Sequence, residues 1–176
     1  MGMIGNYLMV REEIIEEIKS GRLLASDFLY SDDYSIGTSE HSLNIDKSWY
    51  AIHFALTGEI LEELEFGLPE IKNNNPLSKI VVNCQQLCDE DVGYGPPMYL
   101  SVAEVKDVNI ALQSISKEDF RSKFDFSEMI KNAIYPIIDG EDMYVFFEYC
   151  LEYFVRVKEF YAKASKENMC IIFYIN

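Results

Sequence analysis

Residues 169–175 read MCIIFYI, a continuous apolar run that follows a long segment with helical periodicity. A strand without polar alternation needs cover on both of its faces, so this run predicts a strand in the middle of a sheet. Residues 1–10 (MGMIGNYLMV) are also largely apolar and predict a second strand. We expect the two terminal strands to belong to one sheet.

The segments between these strands favour helices. Residues 142–166 carry apolar side chains at helical spacing and predict the longest helix. Residues 101–104 (SVAE) match a capping box that begins another helix. Residues 47–57 predict a third helix, with Asp46 as its N-terminal cap and Gly58 just after its end.

Two short strands are expected in the middle of the chain, at residues 79–83 (KIVVN) and residues 98–100 (MYL). The fold class is therefore α+β: a single helix-rich domain over residues 1–176, with a small mixed sheet that includes the N-terminal and C-terminal strands. Polar loops are expected at residues 31–42 and 67–76, and an acidic helix or turn is expected at residues 60–66.

Acidic residues outnumber basic ones: 30 Asp and Glu against 15 Lys and Arg give a formal net charge of −15. Nucleic acids and anionic membranes attract clustered Lys and Arg, so neither is expected as a partner. A basic protein partner or a cationic ligand would be attracted, although excess acid also simply keeps a protein soluble. No apolar run reaches the length of a membrane span, and the first residues lack the features of a signal peptide, so we expect a cytoplasmic protein.

His53 is a candidate for acid–base chemistry. On a helix, Trp49 and His53 are four residues apart and share a face, and Asp46 lies three residues before Trp49. Imidazole titrates near neutral pH and a carboxylate can orient it, so His53 and Asp46 are candidate catalytic residues. Lys47 and Trp49 are candidate binding residues beside them. The structural alternative is a core histidine packed on Trp49, with Asp46 serving only as a helix cap.

A glycine-rich loop, GYGPP at residues 93–97, forms the second candidate site. Two glycines around a tyrosine allow a tight turn and a close backbone approach, and the prolines stiffen its exit. As a site, the loop would line a pocket with two phenols and free amides; as structure, it would deliver two tyrosines to the core. It is not a phosphate loop or a dinucleotide fingerprint. The candidate binding residues are Gly93, Tyr94, Gly95 and Tyr99.

The four cysteines indicate neither a metal site nor a redox site. Cys84 and Cys88 are four residues apart, unlike a Cys-x-x-Cys motif, and Cys150 and Cys170 lie in apolar stretches. Acidic neighbours raise the pKa of the Cys88 thiol and make it a poor nucleophile. We expect no metal and no cofactor.

Several segments, in order and at the right spacing, resemble the YfbM-like family of bacterial proteins, a domain of unknown function (DUF1877). The resemblance implies a compact bacterial cytosolic domain, and it provides no catalytic residues. The segments that carry it are MGMIGNYL at residues 1–8, LNIDKSW at residues 43–49, HF at residues 53–54, LTG at residues 56–58, GYGP at residues 93–96 and YL at residues 99–100.

The sequence therefore favours a non-catalytic acidic domain that binds a protein partner, as an inhibitor or immunity-type protein does. The aromatic residues of the last helix are spread over more than one face, so some are expected near the surface, as at an interface, while most of them are expected in the core. The alternative is a small-molecule-binding protein or small enzyme that uses His53 as an acid or base in a pocket with Trp49 and Tyr94. The sequence does not decide whether the protein is an enzyme, although it favours a protein without catalytic activity. It also does not decide between a monomer and a homodimer. An open pocket between His53 and residues 93–97 would favour the enzyme.

Overall fold

The C-terminal strand lies in the middle of a five-stranded sheet. The computed structural model describes residues 2–31, 40–61, 74–82, 84–138 and 140–176. The strands are β1 (Gly5–Val10), β2 (Ser42–Asn44), β3 (Gln85–Gln86), β4 (Met98–Leu100) and β5 (Cys170–Ile175). Across the sheet they follow the order β2–β1–β5–β4–β3, so the predicted central position of the last strand is confirmed.

The two terminal strands are neighbours. β1 and β5 pair along their whole length, from Gly5 opposite Ile175 to Val10 opposite Cys170, which confirms that both belong to one sheet. The structure corrects one detail: all four pairings are antiparallel, so the sheet is not mixed. A strand buried on both faces shows the same apolar pattern in either direction, so the pattern could not determine it.

Helices cover the sheet. They are α1 (Glu12–Lys19), α2 (Ala25–Leu29), α3 (Trp49–Thr57), α4 (Val102–Gln113), α5 (Lys117–Lys123), α6 (Phe126–Lys131) and α7 (Met143–Glu167). Asp142 caps α7, because its carboxylate accepts bonds from the N–H groups of Tyr144 and Val145. Ser101 and Glu104 form the predicted capping box of α4.

The two faces of the sheet contact different cores. Tyr7 and Phe173 point into the larger core, which α3 to α7 complete, and Leu8 and Ile172 point into a smaller core under α1 and α2. Successive residues of a strand face opposite sides, so the sheet divides the molecule into two layers of side chains. Cover on both sides explains why β1 and β5 are buried throughout.

One predicted strand is a helical turn. The buried residues Ile80, Val81 and Val82 lie at and just after the end of a 3-10 helix (Pro76–Ile80), and within the described ranges they pair with no strand. Pro76 at the first position and the Asn75 side chain, which accepts from the Leu77 N–H, begin the helical turn. The residues of this run are therefore apolar because they are buried, and they do not form an extended strand.

The region before α3 also differs from the prediction. Asp46 does not cap α3; it begins a 3-10 turn (Asp46–Ser48), and no side chain caps the helix that follows. β2 and β3, of three and two residues, are too short for a periodic pattern to reveal. Much of each predicted connection lies outside the described residues, namely 32–39, 62–66 and 67–73.

Candidate functional site

His53 lies in the interior, and its side chain is 0% exposed. Its Nε2 atom is 3.1 Å from Oε2 of Glu59, whose other oxygen accepts a 2.7 Å bond from the Ser78 hydroxyl. The Nδ1 atom is buried and has no hydrogen-bond partner in the described part of the chain. Burial lowers the pKa of His53 to about 4, so the imidazole is neutral near pH 7.

The structure separates His53 from the other candidate residues around it. Asp46 precedes His53 by seven residues, about 10 Å along a helix, and its carboxylate contacts Tyr149 of α7 instead. Trp49 is fully buried; its indole N–H donates to the Met3 carbonyl, and its ring stacks on a neighbouring tyrosine. His53 and Asp46 therefore do not form an acid–base pair, and Trp49 offers no open ring face.

The glycine-rich loop is a turn that packs on the end of β5. Asp91 accepts bonds from the N–H groups of both Gly93 and Gly95, so these amides are already used. The Tyr94 N–H donates to the Ile175 carbonyl at 3.0 Å. Gly93 has φ +139°, and a Cβ there would stand 2.8 Å from that carbonyl oxygen. Only glycine fits this position, for a structural reason.

Tyr99 lies on the other side of the sheet from Trp49. It belongs to the smaller core, where its hydroxyl donates to Gln85 and accepts from Lys19. Trp49 belongs to the larger core. Since the sheet lies between them, the two aromatic residues cannot line one pocket.

Asp46 and Lys47 lie at the surface, where α7 meets the turn before α3. The Tyr149 hydroxyl accepts a 3.1 Å bond from the Lys47 N–H and donates a 3.0 Å bond to Oδ2 of Asp46. The Asn44 side chain accepts from the Asp46 N–H at 2.8 Å. Asp46 adopts a left-handed backbone conformation with φ +48°. These bonds hold the turn and its carboxylate in place.

Tyr135 lies beside this turn. Its hydroxyl accepts a 2.9 Å bond from the Met3 N–H. Lys47 packs over Gly2: a Cβ added to Gly2 would lie 2.8 Å from the Tyr135 hydroxyl and 3.1 Å from the Lys47 ammonium. Tyr94 is also close enough to act electrostatically on Tyr135. The structure thus brings together two of the predicted residues, Asp46 and Lys47, which the Tyr149 hydroxyl bridges.

Tyr149 bonds to the Asp46 carboxylate, its ring meets the ring of Tyr153, and Tyr135 lies near the same turn. These four residues, Asp46, Tyr135, Tyr149 and Tyr153, are named the tyrosine site. Partial burial raises the pKa of each phenol, and the negative charge of Asp46 raises it further. Each of these side chains is only partly buried. The site is therefore an aromatic surface around one carboxylate.

The sequence analysis missed the tyrosines of this site. Tyr149 and Tyr153 are four residues apart on α7, a spacing that places them on one side of the helix, and their rings meet edge to face at 5.2 Å. That spacing was the available signal. Nothing in the sequence connected Tyr135 with Asp46, because the contact depends on how the chain returns to the turn.

A second surface feature lies at the beginning of α7. Four large apolar side chains are exposed there and form the apolar end of α7: Ile138 (67% exposed), Met143 (45%), Tyr144 (70%) and Val145 (66%). The acidic residues Glu141 and Asp142 lie between them in the sequence. A neighbouring groove of about 510 Å³ runs along the same helix, and its apolar lining consists of Tyr149, Leu151 and Val155.

The cysteines and the remaining acidic residues form no further site. All four cysteines are free thiols, and burial followed by the charges of Glu90 and Asp89 raises the pKa of Cys88. Among the described residues, no three His, Cys, Asp or Glu side chains are grouped closely enough to hold a metal ion. In the same residues, no helix has the length and apolar character that crossing a membrane requires.

Comparisons with known proteins find one family and a shared fold. Residues 1–174 match the family model DUF1877, a domain of unknown function. The crystal structure of YfbM from Escherichia coli, a protein of unknown function, matches with a TM-score of 0.68 and 23% identity. The alignment covers 98% of this chain and 99% of that chain. No curated protein matches.

Proposed function

Because the chain belongs to the DUF1877 family, whose function is unknown, we propose its function from its own surface: a non-catalytic acidic domain that binds a basic protein partner. The observation that supports this most is the apolar end of α7. Single exposed apolar residues are common on proteins, but several large ones grouped together are typical of an interaction surface.

The backbone of the apolar end is capped at the start of α7. The Asp142 carboxylate accepts bonds from the N–H groups of Tyr144 and Val145, at 2.9 and 3.0 Å, and fixes the first turn of α7. A backbone that is already ordered loses less conformational entropy when a partner covers it. Tyrosine is also among the residues that contribute most at protein interfaces.

The surrounding charge selects the partner. Glu141 and Asp142 lie within the apolar end, and the chain has a formal charge of −15. A second copy would bring the same charge and be repelled, whereas a basic protein would be attracted over long range. We therefore propose a different protein with a positive surface as the partner.

The groove beside the apolar end extends this surface. Val145 and Tyr149 are four residues apart and neighbours on α7, so the apolar end continues into the groove. Glu148 and Glu152 line the groove together with Lys117 and Arg156, so the groove itself adds no net charge. A segment of the partner would thus find further apolar contacts there, next to the acidic start of α7.

The enzyme hypothesis has less support. His53 is fully buried, and the glycine-rich loop uses its amides within its own turn. A catalytic role would require the interior to open.

The proposal is tested by changing the apolar end and comparing partner retention. The double variant Tyr144→Ser/Val145→Ser removes two exposed side chains, and Ile110→Ser on α4 is the matched control, since Ile110 is also 70% exposed. We expect the unchanged protein and the control to retain the same basic proteins at about 0.15 M salt, and the double variant to lose them. Retention should fall at about 1 M salt.

A photo-reactive residue locates the contact. Placed at position 144, it should cross-link the retained protein in cells; placed at position 110, it should not. Equal cross-linking from both positions, or full retention by the double variant, would contradict the proposal.

A further inference from the structure

We infer that the tyrosine site binds an arginine side chain of the partner, an inference that rests on the proposed function. The apolar end lies at the beginning of α7, and two residues of the tyrosine site, Tyr149 and Tyr153, lie further along the same helix. Val145 of the apolar end and Tyr149 of the tyrosine site are one helical turn apart. A single partner can therefore contact both.

The Asp46 carboxylate has capacity for a cation. Its Oδ2 atom accepts one bond, from the Tyr149 hydroxyl at 3.0 Å. Within the described residues, no Lys, Arg or His side chain forms an ion pair with it. A carboxylate has about four acceptor positions, so several stay available to a ligand.

The carboxylate is also held in place before any ligand arrives. The Tyr149 hydroxyl bonds to both Asp46 and Lys47, and Asn44 accepts from the Asp46 N–H. This arrangement connects the turn to α7 and to β2. A fixed acceptor needs no rearrangement on binding, which favours recognition by even one charged contact.

The aromatic rings favour a guanidinium. A planar guanidinium stacks on aromatic rings and is more weakly hydrated than an ammonium, so it loses less on leaving water. α7 already shows such contacts: the guanidinium of Arg156 lies 5.4 Å from the ring centre of Tyr153, and that of Arg121 lies 4.4 Å from the ring centre of Phe147. Arginine of a partner would repeat this chemistry at Tyr135 and Tyr149.

Lys47 gives the inference a distinctive test. Arg156 lies beside Tyr153, and the Lys47 ammonium lies against Gly2, 3.1 Å from the position of a Cβ added there. If the ligand is a cation, removing this charge strengthens binding. If the ligand is an anion or a zwitterion held through Lys47, removing the charge weakens it.

The experiment follows the tyrosine ring signals by NMR while small probes are added to the full chain. The probes are N-acetyl-arginine amide, its neutral analogue N-acetyl-citrulline amide, and N-acetyl-lysine amide. We expect the arginine probe to shift the rings of Tyr135, Tyr149 and Tyr153, with the citrulline probe binding about three- to tenfold more weakly. The lysine probe should lie between them.

Variants assign the binding to the site. Asp46→Asn keeps an acceptor for the Tyr149 hydroxyl, and asparagine tolerates the left-handed backbone. This variant should bind the arginine probe about three- to tenfold more weakly. Lys47→Met should bind the arginine probe about twofold more tightly. Equal binding of the citrulline probe, no effect of Asp46→Asn, or weaker binding by Lys47→Met would overturn the inference.

The two proposals can fail separately. The variant Tyr144→Ser/Val145→Ser should lose the partner protein and still bind the arginine probe. If the partner is retained but the arginine probe leaves every tyrosine ring unshifted, the inference is wrong and the proposed function stands. If the probe binds and no partner depends on the apolar end, the proposed function is wrong and the site stands as a guanidinium site.

Discussion

Burial determines the protonation of His53. The imidazole is buried on α3, on the side of the sheet that holds the larger core. A charge is poorly solvated there, so the pKa of His53 falls to about 4. The Glu59 carboxylate at 3.1 Å acts in the opposite direction, but burial dominates. His53 is therefore a neutral, structural part of the interior at neutral pH.

This burial makes the stability depend on pH. An unfolded histidine has a pKa near 6.5, so between about pH 6.5 and about pH 4 the unfolded chain binds a proton that the folded chain does not. The free energy of unfolding should fall as pH falls through this window, by at most about 1.4 kcal/mol per pH unit from this group.

Chemical denaturation at several pH values measures that slope. The variant His53→Gln should show a smaller loss than the unchanged protein, because glutamine does not titrate. Equal slopes in the His53 variant and the unchanged protein would show that His53 titrates normally.

Gly93 is required by its contacts as well as by its backbone angle. Gly93→Ala should lower the free energy of unfolding by about 2–4 kcal/mol, because the new Cβ would strain a φ of +139° and overlap the Ile175 carbonyl. Gly21→Ala is the control: its φ is +71° with nothing within 4 Å, so about 1 kcal/mol is expected. Thermal or chemical unfolding compares them, and equal losses would mean that the contact contributes nothing.

At the scale of elements, local sequence signals worked well for helices. The α4 capping box and the extent of α7 depend on residues close together in the chain, so they were predictable. Strand prediction failed at Ile80–Val82 because an apolar run indicates burial and does not distinguish an extended segment from a turn.

The cap of α4 should stabilise the domain measurably. Ser101 accepts from the Glu104 N–H, so Ser101→Ala should lower the free energy of unfolding by about 1 kcal/mol. The control Ser122→Ala removes an exposed hydroxyl on α5 that caps no helix N-terminus, and it should change stability by less than about 0.5 kcal/mol. Unfolding in denaturant measures both, and a Ser101 variant as stable as the control would exclude a contribution from the cap.

At the scale of the whole molecule, charge repulsion opposes folding. The formal charge of −15 concentrates in places such as α1, where four glutamates line one groove: Glu12, Glu13, Glu16 and Glu17. Salt screens the repulsion between exposed charges, most strongly between charges that lie farther apart than a Debye length. The same screening that stabilises the chain should weaken its attraction for a basic partner.

Stability should therefore rise with salt. Between about 0.02 M and about 0.5 M sodium chloride, the melting temperature should increase by about 3 °C, the shift that about 1 kcal/mol gives in a chain of this size. Thermal unfolding followed by circular dichroism measures it. The variant Glu16→Gln/Glu17→Gln should have a higher melting temperature than the unchanged protein at low salt, and its melting temperature should rise less as salt is added. A melting temperature that falls with salt would show that charge repulsion does not limit stability.

The fold class, the start of α4, the extent of α7, the central strand and the acidic character were predictable from the sequence, because each follows from neighbouring residues or from composition. Tertiary structure decided the strand directions, the burial of His53 and the separation of Tyr99 from Trp49 by the sheet. It also assembled the tyrosine site, in which Tyr149 bonds to a carboxylate 103 residues away. Such contacts depend on how distant segments pack, and no local pattern records that packing.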